Sequence, residues 1–203
     1  MHISEGVLSA PVLLGGAALA VPGLAVSLRR LPWGHIMSVG ILSAAFFVAS
    51  LIHVRLGPGS VHLIMNGLLG AVLGWAAFPA VTVALFLQAL LFQFGGLTSL
   101  GVNVCIMAYP AIACGLFFRR FFTPGASPAL ARAAAFACGA LSVLCSALLC
   151  ASALALSGDD FLTAAWGIFA AHVPIMIIEG ILTAVTVAYL TKVLPELLRM
   201  DAT

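Results

Sequence analysis

Nitrogen donors are few in this chain and sit where they can act together. His2 directly follows Met1, so the α-amine, the amide nitrogen of residue 2 and the His2 imidazole can close fused five- and six-membered chelate rings on one metal ion. A fourth nitrogen from another histidine would complete a square-planar set, which suits Ni(II) or Cu(II) and is poor for tetrahedral Zn(II). The chelate requires Met1 to be retained, as expected before a residue as bulky as His2. The leader has no basic stretch of the secretory kind and runs into an apolar segment after Gly6, so the amine is held close. Of the other histidines, His62 follows Gly57-Pro58-Gly59-Ser60, a flexible lead-in that lets its side chain turn inward. His35 and His53 stand at helix ends, where an interfacial or hydrogen-bonded histidine is ordinary.

A second constellation centres on Glu179, an acid placed where a membrane interior is expected and therefore a functional candidate by default. His172, Met176, Glu179, Thr183 and Thr186 recur at helical spacing and share one face, although Pro174 threatens the turn that carries His172. His62, Asn66 and Gly70 share another. Two such faces are expected to look at each other, as a structural hydrogen-bond network or as part of a transport path. Gln88, Gln93 and Asn103 flank the run Gly95-Gly96-Leu97-Thr98-Ser99-Leu100-Gly101, which is either a cover for a pocket or a tight turn. Cys105, Cys114, Cys138, Cys145 and Cys150 all fall in apolar runs without a CxxC pair, and read as small buried side chains. Walker A, GxSxG and HExxH patterns are absent, which argues against ATP binding in the P-loop manner and against hydrolase chemistry.

The elements that must position these groups are set by composition. Of 203 residues, 64% are hydrophobic and 7% charged, far below the roughly 25% charged residues of soluble domains. A soluble enzyme, a disordered protein and a nucleic-acid binder are excluded. The fold class expected is all-α, a polytopic membrane bundle forming a single domain over 1–203, with residues 1–8 as the chelating segment and 9–203 as the bundle. Apolar runs near 9–28, 35–53, 61–78, 79–95, 100–118, 129–157 and 170–194 give about seven spans. Phe78-Pro79 is the turn expected between the third and fourth, and residues 161–169 an interfacial stretch before the last. Gly16-x-x-x-Ala20 and Gly70-x-x-x-Gly74 are small-residue patterns for close helix contact, within the chain or with a partner.

Basic residues favour the cytoplasmic side. Seven spans with the N-terminus outside and the C-terminus cytoplasmic put Arg29, Arg30, Arg119, Arg120, Arg132, Lys192 and Arg199 inside and only Arg55 outside. Glu5, Asp159 and Asp160 then lie on the outer face, together with His2, His53, His62 and His172.

The opening Met1-His2-Ile3-Ser4-Glu5-Gly6-Val7-Leu8-Ser9 resembles the start of the CbiM/NikM family, the cobalt and nickel substrate-binding (S) components of energy-coupling-factor (ECF) transporters. The resemblance continues through Ser60-Val61-His62-Leu63-Ile64-Met65-Asn66-Gly67-Leu68-Leu69-Gly70, through Leu87 to Asn103, and in Glu179-Gly180-Ile181-Leu182-Thr183-Ala184, so it covers essentially the whole chain. It implies a metal site on Met1, His2 and His62; the polar faces and loops read above, apart from any resemblance, add His53, Asn66, Gln93, Asn103, His172 and Glu179 as candidate supporting or pathway residues. Phe94 stands where some relatives carry an acid or a histidine, so it is assigned no ligand role. The resemblance also implies high-affinity capture of Co2+, or Ni2+, without a permanent cofactor and without enzymatic activity. The partners it implies are a CbiQ-like transmembrane coupling protein, two CbiO-like ATPases and a small CbiN-like membrane subunit, in a prokaryotic plasma membrane. The alternative is a stand-alone metal-ion channel or a proton-coupled secondary carrier using Glu179.

Overall fold

A computed structural model describes residues 2–31, 33–56, 59–122, 127–158 and 161–199. Among them are seven α-helices: α1 (Ala10–Arg29), α2 (Ile36–Leu51), α3 (Asn66–Leu73), α4 (Ala77–Phe92), α5 (Leu100–Phe118), α6 (Pro128–Ala155) and α7 (Leu162–Val193). Two of the starts are legible locally. Ser127 caps α6 by accepting the Leu130 N–H at 3.2 Å, with Pro128 opening the helix, and Ser9 precedes α1 in an extended conformation with Pro11 in the first turn.

Five apolar segments are long enough to cross a membrane by length and composition: Ala10–Arg29, Asn66–Phe92, Leu100–Phe121, Pro128–Ala155 and Trp166–Val193, with Ile36–Leu51 as a shorter one. The Asn66–Phe92 segment is a hairpin of two legs. A straight helix of that length would hold its ends roughly 40 Å apart. His62 and Phe94, just beyond its two ends, instead both lie against His2, with ring centroids 4.8 and 6.4 Å from it. The reversal falls at Gly74, whose φ of 54° and ψ of −120° suit only glycine. The turn expected at Phe78-Pro79 therefore comes four residues earlier in the chain, and Pro79 lies in the first turn of α4, where a missing N–H costs nothing.

Side-chain contacts define the two ends of the bundle. At one, the Arg30 guanidinium lies 4.4 Å from the Trp75 ring centre, and Arg119 donates to the Leu198 carbonyl at 3.3 Å. At the other, His2 meets His62 and Phe94, and the Ser9 N–H donates to Ser157 Oγ at 3.2 Å. Successive helices thus run alternately between the ends, and the N-terminal segment and the C-terminal turn Pro195–Arg199 lie at opposite ones.

α3 is buried at every residue and forms the axis of the bundle. Small residues make that possible. A Cβ on Gly70 would run into the Ala111 carbonyl, and one on Gly67 would meet Gly139 at 2.6 Å. Gly139 in turn lies under the Glu179 carbonyl and Thr183 of α7. Gly16 of α1 packs against Val102 of α5 in the same way. The small-residue patterns are thus used within the chain, where close backbone approach gives dispersion contacts that lipid cannot replace. Leu14, Val21, Ile41, Val48, Leu90, Ile177 and Val185 point outward, as on a lipid-solvated surface. All five cysteines are free thiols, and the Cys105 and Cys138 thiols donate to the carbonyls of Gly16 and Gly67 at 3.4 and 3.5 Å.

Two more expectations need correction. The region read as a helix end, a flexible lead-in and the start of a span holds an antiparallel strand pair, β1 (His53–Leu56) with β2 (Gly59–His62), in which His53 faces His62. The third span accordingly begins at Asn66, because β-branched Val54 and Val61 fall opposite each other where a ladder can form. Residues 161–169 are no separate interfacial stretch: α7 runs unbroken from Leu162 and carries Pro174 inside it.

Candidate metal centre

Residues 2–9 form a short plug over one end of the bundle. Ile3 is its anchor, 4% exposed, and Leu8 is also buried. Burying one such side chain stabilises by about 1.5–3 kcal/mol. The polar half of the anchor is Asn103, in the first turn of α5 and 2% exposed. Its Oδ1 accepts the Ile3 N–H at 3.0 Å and its Nδ2 donates to the Ile3 carbonyl at 3.1 Å. One amide thus satisfies both sides of the residue that follows His2, as a neighbouring strand would. Ser99 Oγ donates to the same carbonyl at 2.9 Å, and the Asn103 amide also reaches Ser99 Oγ at 3.2 Å. These residues stand one helical turn apart, so α5 presents them together.

The glycine-rich run is the floor of this cradle. The Glu5 N–H donates to the Gly95 carbonyl at 3.1 Å. Gly95 has φ +79°, and a Cβ there would stand 2.9 Å from Asn103 Nδ2 and 3.7 Å from His2 Cβ. A Cβ on Gly96 would collide with the Glu5 side chain at 2.7 Å. Ser99, Gly95 and Gly96 are functional neighbours that the spacing of nitrogen donors does not reveal. Their signal is the Gly95-Gly96 pair followed by Ser99 and Asn103 at i, i+4.

The plug brings His2 onto His62. Their rings are nearly parallel, 16° apart, with centroids 4.8 Å apart, and Phe94 lies beyond at 6.4 Å from His2. Metal–nitrogen bonds are about 2.0–2.1 Å, so two imidazoles on one ion keep their ring centres within roughly 6 Å. His2 and His62 meet that condition. His62 Nδ1 lies 2.9 Å from the Leu63 carbonyl, which can only accept, so Nδ1 carries the hydrogen and Nε2 the lone pair. A second-sphere bond of this kind fixes both tautomer and ring orientation. His62 is 5% exposed and His2 Nε2 is buried. Met1 lies outside the described residues.

The other candidates separate. Glu179, fully buried, uses Oε1 to accept the N–H groups of Ile64 and of Met65, the latter at 2.8 Å. Those are the first residues after Leu63, so α7 reaches the backbone immediately below His62. Asn66 Nδ2 donates to Ser146 Oγ at 2.8 Å and to the Met107 carbonyl at 3.3 Å, tying α3 to α6 and α5. His172 is buried on α7 with Nδ1 2.6 Å from the Ile168 carbonyl of its own helix. Gln93 ends α4 with φ 56° and an exposed side chain. His53 is placed only by its backbone, opposite His62, and the side chains of His53 and His35 lie outside the described residues, as do Asp159 and Asp160.

Comparison with known proteins places the chain in a family. A protein of Haemophilus influenzae with the printed name "Putative metal transport protein" is 42% identical over 199 residues, covering 98% of this chain and 97% of that one. A fused nickel transport protein NikMN of Rhodobacter capsulatus is 34% identical over 125 residues, 58% of this chain and 36% of its own. A crystal structure of a transition metal transporter superimposes with a TM-score of 0.81 at 29% identity, covering 95% of this chain and 93% of the other. Residues 2–197 match the family model CbiM, the substrate-specific transmembrane region of cobalt uptake, and the chain belongs to that family of multi-pass membrane proteins.

Proposed function

We propose that this chain is the metal-capturing subunit of an ATP-driven ECF transporter in a prokaryotic plasma membrane, with its N-terminus outside. The ligands are the Met1 amine, the amide and imidazole nitrogens of His2, and His62 Nε2. The cargo is Co2+, or Ni2+, and it binds tightly because the plug already holds two of the donors. The observation that carries this reading is the stacking of His2 on His62, with Ile3 clamped between Asn103 and Ser99. Without those clamps a short leader would sample many positions, and its ordering entropy would count against affinity. Residues 1–8 act as the chelating segment and 9–203 as its scaffold. ATP hydrolysis falls to separate CbiO-like subunits acting through a CbiQ-like coupling protein. The fused NikMN name of the Rhodobacter protein supports a small CbiN-like subunit as a further partner.

Calorimetry with Co(II) and Ni(II) tests the site, using the native N-terminus and a version with one residue added before Met1. Loss of tight binding on extension is the expected result, because the amine then lies one residue too far away to close the chelate. Unchanged binding would remove the N-terminal chelate. Liposomes containing the purified chain alone should accumulate no metal, and accumulation without ATPases would favour a channel or carrier.

A further inference from the structure

Glu179 is the one buried acid of the described spans, and the capture reading gives it no task. It reaches from the middle of α7 to the connection between β2 and α3. There Oε1 takes two successive N–H groups, Ile64 and Met65, which precede the first turn of α3 and have no carbonyl partner of their own helix to use. Met65 sits there with φ 51°, a conformation a non-glycine residue keeps only when its surroundings hold it. His62 stands two residues before Ile64, and its Nδ1 bonds to the Leu63 carbonyl, the other face of the peptide whose N–H belongs to Ile64. A shift of that peptide therefore turns the His62 ring. Glu179 Oε2 has no hydrogen-bond partner among the described residues, so within them these two amides are what orient the carboxylate.

We propose that Glu179 is the positioning residue for His62: it clamps the Leu63–Ile64–Met65 backbone from α7 and so holds His62 Nε2 toward the ion. The proposal rests on His62 being a ligand. It makes α7 the element whose displacement would loosen the fourth nitrogen while leaving the N-terminal chelate intact.

Reach and charge can be separated. Glu179→Gln keeps the reach of an acceptor oxygen, whereas Glu179→Asp keeps the charge and retracts the carboxylate by about 1.5 Å. Cu(II), added as a spectroscopic probe, reports the number of equatorial nitrogens by paramagnetic resonance. The expected result is a four-nitrogen spectrum for the native protein and for Glu179→Gln. Glu179→Asp should give the three-nitrogen spectrum of His62→Ala and about a tenfold or greater loss of Ni(II) affinity, as for other second-sphere removals. An Asp variant indistinguishable from the native protein, or a Gln variant that resembles His62→Ala, overturns the proposal. A native protein without the four-nitrogen spectrum defeats the capture site instead. Hydrogen exchange then judges the clamp by itself: the Ile64 and Met65 amides should be protected in the native protein and exposed in Glu179→Asp, and fast exchange in both overturns it.

Discussion

At the residue scale, the proposed metal centre depends on side chains that never need to touch the ion. Asn103 makes three hydrogen bonds, two to Ile3 and one to Ser99, each worth about 1 kcal/mol where nothing replaces it. Asn103→Ala loosens the plug and leaves the buried Ile3 N–H unmet, with the Ile3 carbonyl held by Ser99 alone. We expect Ni(II) affinity to fall by about 10–100-fold, read by calorimetry, with helical content unchanged by circular dichroism. Protons compete with metal for the same nitrogens. The amine ordinarily titrates near ~8 and imidazole near ~6.5, and only the deprotonated forms bind. Because binding also displaces the His2 amide proton, affinity rises with pH and declines as pH falls, by at least about tenfold per pH unit once the amine protonates. A flat dependence between pH 5 and 8 would contradict the ligand set.

The elements succeed because glycine stands wherever two backbones must meet. Gly95 needs its positive φ and its missing Cβ, so Gly95→Ala costs about 1–2 kcal/mol in the backbone and pushes on Asn103 as well. The expected outcome is roughly a tenfold weaker metal site, since 1.4 kcal/mol corresponds to tenfold. Gly70 has a different task. Adding a Cβ would drive it into the Ala111 carbonyl, and no flexible side chain is there to yield. Gly70→Ala should lower thermal stability in detergent by the upper end of overpacking costs, about 3 kcal/mol. Gly40→Ala, inside α2 and meeting nothing within 4 Å, should raise the melting temperature slightly, since alanine loses less chain entropy in a helix.

The whole molecule has two unlike ends. One holds the plug, the β1–β2 pair and the glycine-rich floor. The other gathers Arg30, Trp75 and Arg119 beside the C-terminal turn. Basic residues are retained on the cytoplasmic side, so the second end should face inward. A C-terminal green fluorescent fusion should glow and a C-terminal alkaline phosphatase fusion should stay inactive, and the opposite pair of results would invert the orientation. Apolar side chains cover the outward faces of α1 and α7, and within the described helices Glu179 is the one charged residue far from a helix end. Such a surface leaves lipid as the surrounding solvent.

Amino-acid order alone determined the class of this protein and much of its chemistry. A composition this apolar has one compatible solvent, apolar run length points to a bundle of membrane helices, and the chelating capacity of Met1-His2 is local covalent chemistry. Only the tertiary structure decided which histidine meets His2, since a leader short in sequence can be brought to any end-facing donor. It also decided that Glu179 serves the backbone beside His62 and that the glycine-rich run cradles the plug. The β1–β2 pair and the Gly74 reversal were hidden for a related reason: apolar runs look alike as one long leg or two short ones. What separates them is close packing of α3 between α5 and α6, a contact among residues tens of positions apart.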